Sequence, residues 1–401
     1  VIKFNKAEHL MLLTYQVEIK PTEKQTWQID CHIGGSRWAY NLFLDINRQR
    51  YEYGYHYMGA YEFSKWFNHE YLKSNPDDRW IKDLSKSVKQ AFIDADIAMK
   101  HFFKKLSGFP HWRSSKRGQG SYYFVKDGKT QIIPCQRHRI KLPKLGWVRL
   151  KEFGYIPTDA DHFVIKQGRV KFKAGRYYLT CLVEQNELPK LELTGEPVGI
   201  DLGLKEFAIL NDGTLYPNHN KSSRIRRIRK RLRTLQRKMS HQYHALKARR
   251  QKEGKSATDL NLAKTQRKVQ RLYQRLTNIQ SDYQNKIIAT VVRAKPRWVA
   301  LENLNVTGMM KNRHLAKAIS YQGFYNFRLK LIDKCQQLGI PVHLTNRFEP
   351  TSKVWQRCGH KKVDLKLKDR VYECQNCDYT EDRDINAALN IRDTENFELA
   401  Y

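Results

Sequence analysis

The sequence predicts a multidomain α/β protein whose C-terminal half is organised around one short buried strand. Its 401 residues are enough for several domains with separate cores. Strand-like and helix-like hydrophobic patterns alternate along the chain, which favours a mixed fold over an all-helical one. The run Val198–Leu204 places the carboxylate of Asp201 among apolar β-formers. A lone charge in a buried strand is costly unless a cation compensates it, so this run predicts a functional site.

Composition indicates a polyanionic partner. The chain has 74 Lys and Arg against 40 Asp and Glu, a formal net charge of +34. Self-repulsion on this scale is tolerated when a polyanion neutralises it, and nucleic acid is the expected one. A ribosome-associated or merely basic protein is the alternative.

Cysteine usage and hydropathy predict the cellular setting. Seven cysteines, an odd number, argue for a reducing compartment and against a disulfide scaffold. No run reaches transmembrane length, and the N-terminal residues lack the order of a signal peptide. We therefore expect a location in the cytoplasm or nucleoid of a prokaryote.

The N-terminal half predicts a small β-barrel split by a helical module. Residues 10–19 have strand character up to Pro21, and strand patterns return between residues 121 and 185. Between them, helices are predicted after Gly34 and Gly35, and the last is a long amphipathic helix over residues 80–106. The aromatic residues of this module are interpreted as core, with base stacking as the alternative.

A basic loop follows the helical module over residues 109–118. Cationic side chains beside an aromatic ring suit phosphate contact combined with stacking, although a solvated turn also fits. The candidate nucleic-acid contacts in this loop are Trp112, Arg113, Lys116 and Arg117.

The C-terminal half follows a linker at residues 186–197. It begins with the Asp201 strand and a hairpin signal at Asn211–Thr214. Two long helices follow, then a strand that ends on Glu302, a helix over residues 325–338, a strand over residues 342–344, an insertion and a final helix. This order fits an RNase H-like α/β domain.

The two long helices predict a helical hairpin with a basic outer face. No acidic residue occurs from Lys221 to Arg250, while apolar residues recur at helical spacing, and the second helix covers residues 258–293. A solvent-exposed coiled coil is the alternative, but so one-sided a run would repel itself without nearby phosphates. The candidate contacts here are Arg226, Arg229 and Arg233.

Three carboxylates lie within or at the ends of these core elements: Asp201, Glu302 and Asp384. Phosphodiester hydrolysis with two divalent ions needs such a set, and Mg²⁺ prefers hard oxygen ligands. We predict that the three acids bind two Mg²⁺ ions. The alternative for Asp384 is a helix cap for the final helix.

The C-terminal cysteines predict a zinc knuckle. Cys374 and Cys377 have the C-x-x-C spacing of zinc ligands, and Cys358 precedes them at a plausible loop distance. Trp355 stands where a second C-x-x-C pair would place its other cysteine, so His360 is the candidate fourth ligand for one Zn²⁺. A degenerate knuckle held by packing alone is the alternative.

Four motifs resemble those of the TnpB family, the transposon-encoded RNA-guided nucleases related to type V CRISPR effectors. They are Gly199–Lys205, Leu301–Val306, Arg347–Lys353 and Asp382–Ala388. Residues 80–103 and 109–124 show a looser resemblance, so the similarity spans nearly the whole chain.

The resemblance implies a fold with a wedge β-barrel, an inserted helical recognition bundle, a split RuvC nuclease domain and a zinc-knuckle insertion. It further implies that Asp201, Glu302 and Asp384 are the catalytic trio. Lys86 and Gln90 match the region where that family reads a short DNA motif. The implied division is 1–34 and 109–190 for the wedge, 35–108 for the recognition domain, 196–346 and 381–401 for RuvC, and 347–380 for the insertion.

The expected function is therefore that of an RNA-guided DNA endonuclease. The resemblance implies a guide RNA derived from the transposon and a double-stranded target DNA with an adjacent short motif. We expect the protein to be a monomer. Two rival hypotheses remain: a cleavage-deficient RNA-guided repressor, and an RNA-independent nuclease of the same fold. The presence of all three acids disfavours the first, and the extent of the basic surface disfavours the second.

Overall fold

The computed structural model describes residues 10–115, 119–126, 133–159, 162–186, 191–254, 260–347, 351, 353–362, 371–374, 376–377 and 380–400. The chain falls into two compact units, residues 1–187 and 188–401, with a boundary inside the predicted linker. All seven cysteines are free, which confirms the prediction that there is no disulfide scaffold. Within the described ranges, no helix combines the length and apolar character needed to cross a membrane.

Unit 1 contains a seven-stranded antiparallel sheet. The strands are β1 (Leu10–Lys20), β2 (Gln119–Val125), β3 (Cys135–Gln136), β4 (Arg139–Leu142), β5 (Gly146–Leu150), β6 (Phe163–Lys173) and β7 (Arg176–Asn186), in the spatial order β2-β6-β7-β1-β5-β4-β3. The Ile133 N–H, just before β3, donates to the Ile165 carbonyl of β6 at 3.1 Å. Residues from both ends of the sheet share one buried core, as expected for strands that wrap into a barrel.

The helical module of unit 1 lies between β1 and β2 in sequence, as predicted. Its helices are α1 (Glu23–Glu52), α2 (Ala60–Trp66), α3 (Leu72–Ser74) and α4 (Ser85–Phe103), with a π-helical turn at Phe67–Tyr71 and a 3₁₀ segment at Pro76–Leu84. Aromatic side chains dominate its core, including Phe43, Phe63, Phe67 and Phe92. The interpretation of these aromatics as core is therefore correct for these four.

The first helix begins earlier than the sequence prediction, at Glu23 instead of after Gly35. Thr22 and Gln25 form a capping box that fixes this start, a signal that the glycine pair obscured. Gly35 lies inside α1, at a position where any larger residue would clash. A methyl group there would overlap the Leu84 side chain and crowd Ile81. The absence of a Cβ thus serves close packing here, and the prediction that Gly34 and Gly35 precede the helix is wrong.

The helix predicted over residues 80–106 is divided in the structure. Residues 76–84 adopt a 3₁₀ conformation, in which Ile81 is buried against α1, and the regular helix α4 covers only Ser85–Phe103. The tighter 3₁₀ turn lets this short segment lie close to α1. The sequence does not reveal the division, because the hydrophobic pattern over a few residues is nearly the same for a 3₁₀ helix and an α-helix.

Unit 2 is built on a six-stranded mixed sheet. Its strands are β8 (Val198–Leu202), β9 (Glu206–Leu210), β10 (Leu215–Pro217), β11 (Val299–Leu301), β12 (Val342–Thr345) and, after a separate hairpin of β13 (Val371–Glu373) and β14 (Thr380–Asp382), β15 (Phe397–Leu399). The order is β10-β9-β8-β11-β12-β15, with β8, β11 and β12 parallel. This agrees with the predicted sequence of strand, hairpin, helices, strand, helix and strand. The edge strand β15 was not predicted.

The helices of unit 2 are α5 (Ser223–Glu253), α6 (Leu260–Arg293), α7 (Val306–Met309), α8 (Ala316–Gln322), α9 (Phe324–Gln337) and α10 (Arg383–Arg392). Helices α5 and α6 pack against each other as the predicted basic hairpin. Helix α10 lies directly on β8, because Gly199 has no side chain to hold it away.

Gly199→Ala should strongly destabilise unit 2, because the new methyl group would overlap the Ala388 carbonyl and crowd the Arg392 backbone. We expect a loss of about 1–3 kcal/mol, the usual cost of overpacking a rigid contact. Thermal unfolding followed by circular dichroism measures it. Gly34→Ala is the matched control, because its methyl group meets only the far end of Arg37 inside a helix and should be neutral or stabilising. Equal melting temperatures for the two variants would contradict this account.

Candidate active site

Asp201 lies on the central strand β8, between β9 and β11. Side chains alternate along a strand, so Asp201 lies on the same face as Gly199, the face that α10 covers. Burial, together with the charges of Glu302 and Asp384, raises the pKa of Asp201 to about 7. Arg383 and a hydrogen bond from the Leu202 N–H act in the opposite direction. Without a cation, the folded protein therefore disfavours the charged form of this carboxyl group.

Glu302 reaches the same edge through strand pairing. Leu301, the last residue of β11, is in parallel register with Ile200 of β8, so the next residue of each strand lies side by side. Adjacent strands are about 4.8 Å apart, which brings the Glu302 and Asp201 backbones together. Burial also raises the pKa of Glu302.

Asp384 enters from α10, in its first turn. The cap of this helix is Asp382, whose Oδ1 accepts hydrogen bonds from the backbone N–H groups of Asp384 at 2.8 Å and Ile385 at 3.3 Å. The alternative that Asp384 is the helix cap is therefore wrong. With the cap provided by Asp382, the carboxylate of Asp384 is near enough to raise the pKa of Asp201.

The three predicted acids thus meet on one edge of the sheet, each brought by a different element. Their spacing is wider than that of a single tight ligand set. Across the described part of the chain, the one group of His, Cys, Asp or Glu whose ligand atoms all lie within 4.8 Å is a cysteine group instead. Wider spacing suits two ions about 3.5–4 Å apart that share carboxylates. The all-oxygen donor set fits Mg²⁺.

The cysteine group consists of Cys358, Cys374 and Cys377, as predicted. The Sγ atoms of Cys358 and Cys374 are 3.4 Å apart, and the Asn376 N–H points to the Cys374 sulfur at 3.4 Å. Zinc–sulfur bonds of about 2.3 Å would place tetrahedral thiolates at comparable separations, so the spacing of these thiols is compatible with zinc.

His360 does not complete this group with its imidazole. Its backbone N–H donates to the Cys358 sulfur and lowers the pKa of that thiol, while its carbonyl accepts from the Trp355 N–H at 2.8 Å. The His360 main chain thus contacts a thiol, and its imidazole is not among the ligand atoms that lie within 4.8 Å of one another. Trp355 is buried, 3% exposed, and packs with Cys374 in a small core. At the position where a cysteine is expected, the structure therefore has an apolar packing residue.

Two of the predicted nucleic-acid contacts in unit 1 are engaged within the protein. The Arg113 guanidinium lies 3.6 Å from the Tyr40 ring centre and 3.7 Å from Asp94, and burial lowers its pKa. Gln90 donates to Asp94 at 3.1 Å, and Arg169 binds the same carboxylate through two hydrogen bonds of 2.7 and 2.8 Å. The interpretation of Arg113 as an open phosphate contact is not supported, because Asp94 and Tyr40 hold its side chain.

The remaining unit 1 candidates differ in their exposure. Lys86 is exposed on α4, and Trp112 is 38% exposed beside Phe109 and Arg48. Lys116 and Arg117 lie outside the described residues. Lys86 and Trp112 are therefore the candidates that this unit presents to solvent.

The unit 2 candidates on α5 also divide into two kinds. Arg226 and Arg233 are exposed. Arg229 is half-buried, with its guanidinium 3.7 Å from the Tyr321 ring centre and its Nη2 donating to Asn220 Oδ1 at 2.6 Å. Arg229 is thus part of the internal structure of unit 2. The spacing of residues along α5 alone does not reveal that Arg229 is half-buried while Arg226 and Arg233 are exposed.

Two residues that support the site were missed by the sequence analysis. Asn211 accepts from the Gly199 N–H at 2.9 Å and so ties β8 to the β9–β10 turn. Asp382 caps α10. The signal for Asp382 was present, because Asp followed by an apolar helical pattern is a common helix start.

Three family models match parts of the chain. "Helix-turn-helix domain" matches residues 11–55, "Probable transposase" matches residues 180–313, and "Cas12f1-like, TNB domain" matches residues 324–391. Over residues 11–55 the structure has strand β1 followed by α1, a single uninterrupted helix through residue 52, instead of two helices.

Relatives extend the match over nearly the full length. "Putative RNA-guided DNA endonuclease InsQ" of Escherichia coli K12 is 27% identical, covering 95% of this chain and 91% of the relative. A "Putative RNA-guided DNA endonuclease" of Streptomyces pristinaespiralis is 28% identical, covering 94% and 88%. "TnpB-like protein L79" of Acanthamoeba polyphaga mimivirus is 28% identical over 138 residues. These relatives carry the names of RNA-guided DNA endonucleases and of a TnpB-like protein. This confirms the resemblance inferred from the four motifs.

The fold of this chain is also similar to a solved structure. The "Cryo-EM structure of the Cas12f1-sgRNA-target DNA complex" aligns with a TM-score of 0.52 and 14% identity, covering 97% of this chain and 100% of the other. At that identity the likeness concerns the fold alone.

Asp94→Asn should destabilise unit 1 by about 2–3 kcal/mol at pH 7, because Arg169 and Arg113 lose a charged partner. Although burial alone would raise the pKa of Asp94, hydrogen bonds from Arg169 and Gln90 lower it below its usual value. The stabilisation is therefore present above about pH 4 and is lost as the pH falls through the folded-state pKa.

Urea denaturation at several pH values tests this prediction. The difference between wild type and Asp94→Asn should shrink as the solution becomes more acidic. Asp45→Asn is the matched control, because Asp45 is exposed on α1 and bonded only to Gln49, and it should change stability by less than about 0.5 kcal/mol. A constant difference down to pH 2 would rule out the charged network as its source.

Proposed function

We propose that this protein is a TnpB-family, RNA-guided DNA endonuclease that hydrolyses phosphodiesters at Asp201, Glu302 and Asp384. The observation that carries the proposal is the convergence of these carboxylates from β8, β11 and α10. Acid clusters of this kind are unfavourable unless cations bind them. The chain also carries a net charge of +34, which suits a nucleic-acid substrate.

The donor set supports two Mg²⁺ ions held by the trio. When bound, such ions activate a water molecule and stabilise the leaving oxygen of an in-line displacement. Within the chain, Asp201 is positioned by its Leu202 N–H hydrogen bond, and Asp384 by the Asp382 cap. The raised pKa of Asp201 indicates that its charge is poorly compensated by protein groups, as expected for a ligand prepared for a cation.

A guide RNA and a double-stranded target DNA are the proposed partners. The two long relatives are named as RNA-guided DNA endonucleases, which supports guide pairing as the source of sequence specificity. Helix α5 offers a cationic face for the backbone. It exposes Arg226 and Arg233, and beside them lies a shallow cavity of about 410 Å³ lined by Arg227, Lys230, Arg231, Thr234 and Leu235. Phosphate contacts there would make binding strongly salt-dependent.

We further propose that Lys86 and Gln90 contact a short DNA motif and that the wedge, recognition, RuvC and insertion segments follow the boundaries predicted from the sequence. The proposed protein is a monomer that acts in the prokaryotic cytoplasm, where its seven free cysteines would stay reduced.

One Zn²⁺ is proposed at Cys358, Cys374 and Cys377, with a structural role. Their sulfur atoms lie together, and thiolates are the preferred ligands of this ion. The ion would replace the core that this small segment lacks, since Trp355 and Cys374 form the only buried cluster found in its described residues.

Replacing any trio member with alanine should abolish guided cleavage while RNA binding persists. Each of Asp201→Ala, Glu302→Ala and Asp384→Ala removes a carboxylate from the metal site, and a loss of at least about 10³-fold in rate is expected. Single-turnover cleavage of a target plasmid measures it, with RNA affinity determined by filter binding.

Asp382→Asn is the matched control for the trio. Asparagine still caps a helix, so this change removes a neighbouring carboxylate without disturbing α10. Cleavage by this variant should stay close to that of the wild type. Substantial cutting by any trio variant would overturn the assignment.

The zinc proposal predicts different metal contents for two variants. Cys374→Ala should purify with far less than one zinc per chain, because it removes a buried ligand. His360→Ala should retain zinc, because the His360 backbone N–H that donates to Cys358 is kept by alanine and its imidazole is outside the thiol group. Elemental analysis of the purified proteins measures both. Zinc loss in His360→Ala would mean that the imidazole rotates to become the fourth ligand.

A further inference from the structure

The turn that follows Asp201 is held by side chains from elsewhere in unit 2. Three consecutive carbonyls in the β8–β9 connection each accept a side-chain hydrogen bond. The donors are Gln322 Nε2 to the Gly203 carbonyl at 3.0 Å, Asn218 Nδ2 to Leu204 at 2.7 Å, and Lys221 Nζ to Lys205 at 2.8 Å. Because Gly203 is two residues from Asp201, these bonds fix the end of the strand that carries the carboxylate.

Gln322 differs from the other two donors because it is fully buried, 1% exposed. Both ends of its amide are used: Nε2 donates to Gly203, and Oε1 accepts from Asn220 Nδ2 at 2.9 Å. These two bonds leave a single orientation of the amide, and buried hydrogen bonds of this kind are costly to break.

The hydrogen-bonded chain continues from Gln322 to the basic helix α5. Asn220 Oδ1 accepts from Arg229 Nη2 at 2.6 Å, and the Arg229 guanidinium covers the ring of Tyr321, the neighbour of Gln322. One end of this chain is therefore on the helix whose exposed arginines face solvent. The other end is the backbone beside Asp201.

The second basic helix, α6, meets the same point. Gln280 donates to the Tyr321 carbonyl at 2.9 Å, and Gln284 donates to the carbonyls of Gln322 at 3.3 Å and Gly323 at 3.1 Å. The α8–α9 junction is thus held by both helices of the basic hairpin. It is in turn bonded to the strand of the candidate active site.

We propose that Gln322 is a positioning residue for Asp201, and that through Asn220 and Arg229 it couples the basic hairpin to the metal-binding edge. The coupling to catalysis rests on the proposed function, because it assigns a support to the same site. The bond to the Gly203 carbonyl holds the backbone just after Leu202, whose N–H reaches the Asp201 carboxylate. Loss of this support should weaken metal binding, as removal of outer hydrogen-bond partners generally does.

Gln322→Met tests the proposal, because methionine keeps the length and buried volume but removes both hydrogen bonds. The half-saturating Mg²⁺ concentration for single-turnover cleavage should rise by about 10-fold or more, with RNA affinity unchanged. The dissociation constant for Mn²⁺, measured by electron paramagnetic resonance on the full chain without RNA, should rise by a similar factor. If Gln322 served only folding, Gln322→Met would lower the melting temperature but leave the Mg²⁺ and Mn²⁺ dependences unchanged.

Gln280→Met is the matched control, because it removes a hydrogen bond of similar length at the same junction without touching Gly203. Its Mg²⁺ and Mn²⁺ dependences should equal those of the wild type. Should Gln322→Met fail to fold, Asn220→Ala removes the partner of Gln322 Oε1 and should shift both dependences in the same direction by a smaller factor.

Two results would overturn the proposal: unchanged metal dependence in both Gln322→Met and Asn220→Ala, or equal shifts in Gln322→Met and Gln280→Met. The coupling to the hairpin is tested by combining Arg229→Ala with Gln322→Met, whose effects on the Mn²⁺ dissociation constant should be less than additive. Additive effects on the Mn²⁺ dissociation constant would show that the hairpin is not coupled to the site through Gln322. The Mn²⁺ measurement needs no cleavage, so a failure of the wild type to cut guided DNA would contradict the proposed function and leave this result intact.

Discussion

The arrangement of unit 2 depends on holding three carboxylates together where protein surrounds them. Burial and mutual repulsion raise the pKa of Asp201 to about 7, so the folded chain must resist a local electrostatic force that would separate these groups. Resistance comes from rigid elements on every side. Strand β11 sets Glu302 by register, and the Asp382 cap fixes the start of α10. Gln322 secures the turn beyond Asp201. In the proposed function, divalent cations complete a site that the backbone has already organised.

Close backbone approach is the second requirement of this site. A helix over a sheet normally stands off at a distance set by side chains, whereas α10 rests directly on β8 at Gly199. That contact brings the first turn of α10 down to the level of Asp201. The stability of unit 2 and the geometry of its carboxylates therefore depend on the same glycine, and one substitution is expected to disturb both.

The positive charge of the chain has two uses that composition does not distinguish. Arg113 and Arg169 in unit 1, and Arg229 in unit 2, are held by Asp94, Tyr40, Asn220 and Tyr321, and so stabilise the protein itself. Arg226, Arg233 and Lys86 are exposed, and the cationic face of α5 borders a shallow cavity. The formal charge of +34 therefore overstates the surface offered to nucleic acid, although the exposed part remains strongly basic.

Sequence alone determined the resemblance to the family, the order of strands and helices in unit 2 apart from the edge strand β15, and the grouping of the three acids and of the three cysteines. It did so because each depends on a local signal: apolar runs with an embedded carboxylate, a C-x-x-C pair, or an acid-free helical stretch. It misplaced the start of α1, and it extended α4 to include residues that adopt a 3₁₀ conformation. It also selected His360 as a ligand and treated Arg113 and Arg229 as open contacts. Tertiary structure decided the surroundings of Gly35, Arg113 and Arg229, because each depends on a partner distant in sequence: Leu84, Asp94 and Tyr321. The capping box at Thr22 and the turn at His360 are local features instead. Sequence spacing specifies which side chains share a helix face or strand, but it does not specify which of them another element will cover.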